Sequence, residues 1–113
     1  MKKNLVKTLV VATVAGSALV ATAAPAAASA SGRYLTDGTR IRSCSYLSCS
    51  VVGLGYKSQT LTANCYINLG SEVGGTGRWI SHKNNATGVS GWSHVSNVTW
   101  GSPGIPHCGF EPV

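Results

Sequence analysis

This 113-residue chain contains four cysteines, whose type and spacing could serve metal binding, redox catalysis or disulfide formation. Cys44 and Cys49 are separated by four residues, and Cys65 and Cys108 stand alone further along the chain. A zinc site would need a second close pair of cysteines or histidines, which the sequence does not offer. A catalytic thiol pair typically has two intervening residues at a helix N-terminus. The spacing therefore favours disulfides over a metal site or redox catalysis.

The sequence also lacks the usual residues of a hydrolase. Hydrolysis needs a nucleophile with an oriented base, or two carboxylates that flank the scissile bond. The chain has three acids, Asp37, Glu72 and Glu111, and no serine stands in a nucleophile-elbow pattern. His82 and His94 could face each other on neighbouring strands, but strand histidines are more often packed or surface residues. We therefore expect no catalytic activity and no cofactor.

The first 30 residues have the pattern of a secretory signal peptide. Three lysines within the first seven residues are followed by an apolar run and then by small residues that end in Ala-Ser-Ala at 28–30. The apolar run is interrupted by polar residues and is shorter than the roughly 20 residues that a membrane span needs. We therefore expect export with cleavage after Ala30, a secreted or cell-wall-associated protein, and no stable membrane anchor.

Removal of this signal changes both the size and the charge of the working protein. About 83 residues remain, and the formal net charge falls from +6 to +3 because three of the nine basic residues leave with the signal. A mild positive charge suits weak attraction to anionic wall polymers, but it is not the footprint of a nucleic-acid-binding protein. A hydrophobic core of this size is marginal without help, so we expect the cysteines to form structural bridges.

Four cysteines in a short exported chain predict two disulfides, and three pairings are open. We favour Cys44–Cys49, because a four-residue loop can bring two Cα atoms within the roughly 4.4–6.8 Å that a disulfide needs. The second bridge is then Cys65–Cys108, since Cys65 lies near the end of a predicted strand and the proline-rich tail is long enough to return to it.

The chain beyond the signal predicts a single all-β domain. Short β-rich segments are separated by turn signals, and no long apolar pattern has the helical period. In the third segment Leu61, Ala63 and Cys65 alternate with polar residues and are expected to point inward. The last two segments predict a hairpin around the turn at 84–88. The five expected strands are 39–43, 50–56, 59–67, 78–83 and 88–95.

Residues 34–100 resemble a bacterial SH3-like (SH3b-type) domain of exported, cell-wall-associated proteins. The resemblance is carried by RIRSCSYLSCSVVGLGYKSQTLTA at the opening, by RWIS at 78–81, and by TGVSGWSHVSNV at 87–98. It implies a small SH3-like barrel of about five short strands, here stapled by disulfides, with a signal at 1–30 and an irregular tail at 101–113. Three positions depart from the family pattern, with His82, Ser93 and Asn97 where apolar or aromatic residues are usual.

Aromatic side chains provide the candidate binding site. Trp92, in the Gly-Trp strand, is the first choice for a core residue. Tyr46, inside the small Cys44–Cys49 ring, is expected to be exposed. Exposed Tyr and Trp side chains with polar neighbours can bind peptides or sugars. The expected ligand-binding residues are therefore Tyr46, Trp79 and Arg42, with Arg40 or Lys57 as further basic contacts.

The sequence favours an exported binding module without catalytic activity, whose partner is peptidoglycan or a related peptide ligand of the cell envelope. Fold alone does not establish this function, because small barrels serve many tasks. The alternative is an interaction or antagonist module that acts on a secreted or cell-surface protein. A small hydrolase or an enzyme inhibitor is the less favoured third reading. The sequence leaves open the ligand, the oligomeric state, and whether the protein stays on the wall.

Overall fold

The computed structural model describes residues 28–112, so the predicted signal lies outside it except for its last three residues. A short 3-10 turn, Val95–Asn97, joins the last two strands. The described residues form seven strands: β1 Ala30–Tyr34, β2 Thr39–Arg42, β3 Val51–Gly55, β4 Thr60–Ile67, β5 Trp79–Asn84, β6 Ser90–His94 and β7 Val98–Trp100. The expected all-β class is therefore confirmed.

The seven strands form one antiparallel sheet in the order β3-β2-β6-β5-β4-β1-β7. The prediction of about five strands was too low, and the sheet is not closed, since β3 and β7 each have one strand neighbour. The five predicted segments all form strands, with ends that differ by one or two residues. The predicted β5–β6 hairpin is present, and the Asn84 side-chain oxygen accepts hydrogen bonds from the N–H groups of Ala86 and Thr87 in its turn.

The two strands that the sequence did not predict pair with each other. In β1 and β7, Gly32 lies opposite Trp100 and Tyr34 lies opposite Val98. β1 also pairs with β4, where Ala30 lies opposite Ala63 and is itself buried. Small residues dominate β1 and β7 is three residues long, so neither has a clear local pattern. Both strands depend on pairing with distant segments.

The core lies on one face of the sheet and follows the alternation of strand side chains. Tyr34, Ile41, Leu61, Ile80 and their neighbours pack together and are nearly inaccessible to water. Burial of each large apolar side chain contributes about 1.5–3 kcal/mol relative to its exposed state. The residues between them in each strand point to the opposite face, which is where the candidate site is found.

A register shift in β4 decides where the tail is attached. The shift lies between Ala63 and Cys65, so Cys65 leaves the core face and its predicted inward orientation was wrong. Cys65 is bonded to Cys108 with their Cα atoms 4.9 Å apart. Tyr66 accepts a backbone hydrogen bond from Cys108 and donates one to Pro106. The tail is therefore held against the edge of β4 by a covalent bond and by hydrogen bonds, and the favoured pairing is confirmed.

Candidate functional site

A groove of about 310 Å³ lies on the face of the sheet opposite the core. Arg40 and Arg42 of β2 reach it because Ile41 between them is buried on the core side. Leu47 and Val73, from two different loops, add apolar edges to the groove. The groove thus combines two cationic side chains with apolar surface.

The Arg42 guanidinium is fixed by the loop that follows its strand. Its Nη1 donates hydrogen bonds to the carbonyl oxygens of Leu47 and Cys49, each at 3.0 Å. The Cys44–Cys49 disulfide, with Cα atoms 5.6 Å apart, closes this loop and confirms the second favoured pairing. Two hydrogen bonds to a covalently closed loop hold the guanidinium in one orientation, so the bridge positions an arginine as well as the loop itself.

Trp79 and His94 form the base of the groove. They lie opposite each other on β5 and β6, and their rings meet edge to face with centroids 5.5 Å apart. The loop at 70–77 covers them, and the Trp79 indole N–H donates to the Ser71 carbonyl at 2.8 Å. Trp79 is only 2% exposed. It can therefore offer a ligand no more than a ring edge, and not the open aromatic surface that the sequence suggested.

His94 is held by hydrogen bonds from both sides of its ring. Nε2 lies 2.9 Å from the Thr76 carbonyl oxygen, and Nδ1 accepts the Ser96 N–H at 3.1 Å. A carbonyl can only accept, so Nε2 donates to Thr76 while Nδ1 accepts from Ser96. Both ring nitrogens are therefore occupied, and His94 serves to anchor the covering loop.

The turn at 36–39 and Asn97 also line the groove. The Thr36 hydroxyl donates to the Asn97 side-chain oxygen at 3.3 Å, and the Asp37 carboxylate accepts the Lys57 N–H at 2.9 Å. Asp37 brings one negative charge to a groove that contains two arginines. The net charge of the lining is therefore positive.

The structure brings together two of the three residues expected to bind ligand. Arg42 and Trp79 both line the groove, whereas Tyr46 lies outside its lining and is half-buried. The predictions for two tryptophans were also reversed: Trp79, expected to offer its ring to a ligand, is buried. Trp92, expected in the core, is half-buried and meets Phe110 of the tail edge to face, with ring centroids 6.3 Å apart.

His94, Asn97, Leu47 and Val73 were not assigned to the site from the sequence. Alternation along β6 places His94 on the same face as Trp92, which the sequence analysis assigned to the core, so sequence reasoning provided no signal for it. Leu47, Val73 and Asn97 come from loops or the 3-10 turn, where no periodicity signals the direction of a side chain. Their convergence on the groove depends on the tertiary structure.

A second polar cluster lies inside the core. Tyr34 and His82 meet edge to face with ring centroids 5.6 Å apart, and both are almost fully buried. Burial raises the pKa of Tyr34 to about 12, with a smaller opposite effect from Asn84, and burial lowers the pKa of His82. Since neither side chain reaches solvent, this cluster cannot contact a substrate. We expect the buried His82 to make folding sensitive to pH.

Within residues 28–112, no group of three or more His, Cys, Asp or Glu side chains is arranged to hold a metal ion. The cysteines in this range are all paired in disulfides. The same part of the chain contains no helix long and apolar enough to cross a membrane.

Comparison with models of known protein families, with curated proteins and with solved structures finds no match to this chain.

Proposed function

We propose that the protein is an exported, non-catalytic binding module of SH3-like type that binds a peptide of the cell envelope, with peptidoglycan as the favoured partner. The observation that carries the proposal is the groove on the outer sheet face, where Arg40 and Arg42 lie beside the apolar edges of Leu47 and Val73. Its volume of about 310 Å³ is at the lower end of the range for small-molecule sites. It suits a few residues of an extended peptide.

The lining supports recognition of a peptide rather than of an apolar ligand. Thr36, Asn97 and Asp37 offer hydrogen-bonding groups on one wall, and Trp79 offers a ring edge at the base. A few polar groups placed around apolar surface fix the orientation of a ligand, while the apolar contacts contribute affinity. A positive lining also attracts the anionic polymers of a cell wall.

Two disulfides support an extracellular location. Such bonds persist in oxidising compartments and are rare in the cytoplasm. The predicted signal is consistent with this location.

Sedimentation with purified peptidoglycan tests this function. The oxidised protein should be retained at low salt, and Leu47→Ala should weaken retention about fivefold, which corresponds to about 1 kcal/mol. Leu69→Ala is the matched control, because Leu69 is similarly exposed and lies outside the groove. Absence of retention at low salt would reject wall binding. Equal loss in both variants would show that the groove is not the site.

A second candidate function, docking of a partner protein, is favoured by one observation. The edge strand β3 has a hydrogen-bonded neighbour on one side and exposes Val51, Val52 and Leu54. An extended segment of a partner can add a strand to such an edge. Val52→Lys should abolish partner binding under this function and leave peptidoglycan retention unchanged.

A further inference from the structure

Some of the N–H donors of the Arg42 guanidinium have no acceptor among residues 28–112. A guanidinium has five N–H donors, and the two on Nη1 match the carbonyl oxygens of Leu47 and Cys49. Within residues 28–112, Nε and Nη2 have no hydrogen-bond partner, and no carboxylate forms a salt bridge with Arg42. Three donors therefore remain for a ligand in the groove.

The orientation of Arg42 is set before any ligand binds. The two carbonyls that hold Nη1 belong to the loop closed by Cys44–Cys49, so the plane of the guanidinium is fixed by a covalently restrained partner. A fixed guanidinium loses little conformational entropy on binding, and its fork of donors matches the two oxygens of a carboxylate. Arg40, by contrast, is exposed and lies on the same face without such hydrogen bonds.

The charges around Arg42 also favour an anion. Arg40 adds a second positive charge on the same face of β2, two residues away. The acid in the lining, Asp37, accepts the Lys57 backbone N–H with its Oδ1 and forms no salt bridge with Arg42. Two arginines therefore share the described groove with one carboxylate, and the half-buried position of Arg42 weakens the screening of its charge by water.

We propose that Arg42 binds a carboxylate of the ligand, so that the groove selects peptides with free carboxylates over the same peptides in amidated form. The inference rests on the proposed binding of envelope peptides and names the chemical group that is recognised. It also assigns a purpose to the Cys44–Cys49 bridge, which holds the guanidinium toward the groove. Reduction of that bridge should weaken recognition of carboxylates more than it weakens the other contacts.

Calorimetry with two forms of one ligand tests the inference. The probes are soluble peptidoglycan fragments released by a muramidase, and the same fragments with their carboxylates converted to amides. The wild-type protein should bind the carboxylate form about tenfold or more tightly than the amide form, because charge-assisted bidentate contacts are lost on amidation. Equal affinity for the two forms would overturn the inference while the proposed function stood. Absence of binding to both forms would reject the function and the inference together.

Variants locate the effect at Arg42. Arg42→Gln should lose about tenfold for the carboxylate form and almost nothing for the amide form, which is the signature of a specific pair. Arg33→Gln is the matched control, since it removes the same charge from an exposed position outside the groove. Equal losses for both ligand forms in Arg42→Gln would contradict the inference. Circular dichroism verifies that the Arg42→Gln variant is folded. If it is not folded, the comparison of the two ligand forms on the wild-type protein still tests the inference.

The bridge is tested with Cys44→Ser combined with Cys49→Ser. We expect the ratio of affinities for the carboxylate and amide forms to fall at least about threefold, because the guanidinium loses its fixed support. Cys65→Ser combined with Cys108→Ser should leave that ratio unchanged, since this bridge holds the tail and lies outside the groove. If the affinity ratio were unchanged in the variant that lacks Cys44 and Cys49, the Cys44–Cys49 bridge would have no role in ligand recognition.

Discussion

The rings of Tyr34 and His82 meet edge to face inside the core, with centroids 5.6 Å apart. Their Oη and Nε2 atoms are buried and have no hydrogen-bond partner within the described residues. The His82 Nδ1 lies 3.1 Å from the Ile80 carbonyl oxygen and donates its proton to it. A protonated His82 would place a second N–H, and a positive charge, next to apolar side chains. The core therefore holds His82 in its neutral form.

Acid should destabilise the fold through His82. Burial lowers its pKa from the usual 6.5, so the unfolded chain takes up a proton at a higher pH than the folded chain does. The free energy of unfolding should then fall as the pH drops below about 6.5, by up to about 1.4 kcal/mol per pH unit, until the folded pKa is reached. Urea unfolding between pH 7.5 and 5 measures this slope.

The slope can be assigned with a variant of His82. His82→Leu should give a smaller slope than the wild type between pH 7 and 5, because the buried imidazole whose protonation the core disfavours is gone. An undiminished slope in His82→Leu would show that another group causes the pH dependence.

Gly70 should not tolerate a larger side chain. A Cβ atom at this position would lie 2.8 Å from the Trp79 Nε1 and close to the Ser45 carbonyl, so either the tryptophan or the covering loop would have to move. We expect Gly70→Ala to lower the free energy of unfolding by about 1–3 kcal/mol. Gly101→Ala is the control, because no atom lies within 4 Å of its added Cβ. Equal urea midpoints for the two variants would contradict the packing described here.

The two disulfides should differ in their contribution to stability. Cys44 and Cys49 are five positions apart, and Cys65 and Cys108 are 43 apart. The chain-entropy model then gives about 2 kcal/mol for the short bridge and about 4 kcal/mol for the long one, since the longer loop has more entropy to lose in the unfolded chain. Thermal unfolding of the two double serine variants compares them. A larger loss for the short bridge would show that its loop stabilises the folded state by other means.

The N-terminus of the mature protein should precede Ala30. Cleavage after Ala30 would remove a residue that is 4% exposed and paired with Ala63. A chain that begins at Ser31 should therefore be about 1 kcal/mol less stable than one that begins at Ser29. The burial of Ala30 changes the cleavage site expected from the sequence: if the protein is exported as proposed, its mass should correspond to cleavage after Ala28, where another Ala-x-Ala pattern ends, rather than after Ala30. A mass that begins at Ser31 would contradict this expectation.

The sequence by itself determined the features that depend on local pattern and on composition. Short β-rich segments separated by turn signals placed five strands, because β-branched and aromatic residues favour strands and Gly, Asn and Ser favour the turns between them. Four cysteines, with one pair in a short loop, predicted both bridges correctly. Cys65 shows where such reasoning ends, since one extra residue in β4 turned its side chain away from the core.

Only the tertiary structure decided which tryptophan is buried and where the groove lies. Trp79 and Trp92 lie on neighbouring strands, but the loop at 70–77 covers Trp79, whereas the tail residue Phe110 meets Trp92 edge to face and leaves it half-buried. Burial on the outer face depends on which distant segment folds over it, and no local pattern encodes that choice. The groove exists for the same reason, because Arg42, Val73 and Asn97 converge only after the strands have paired.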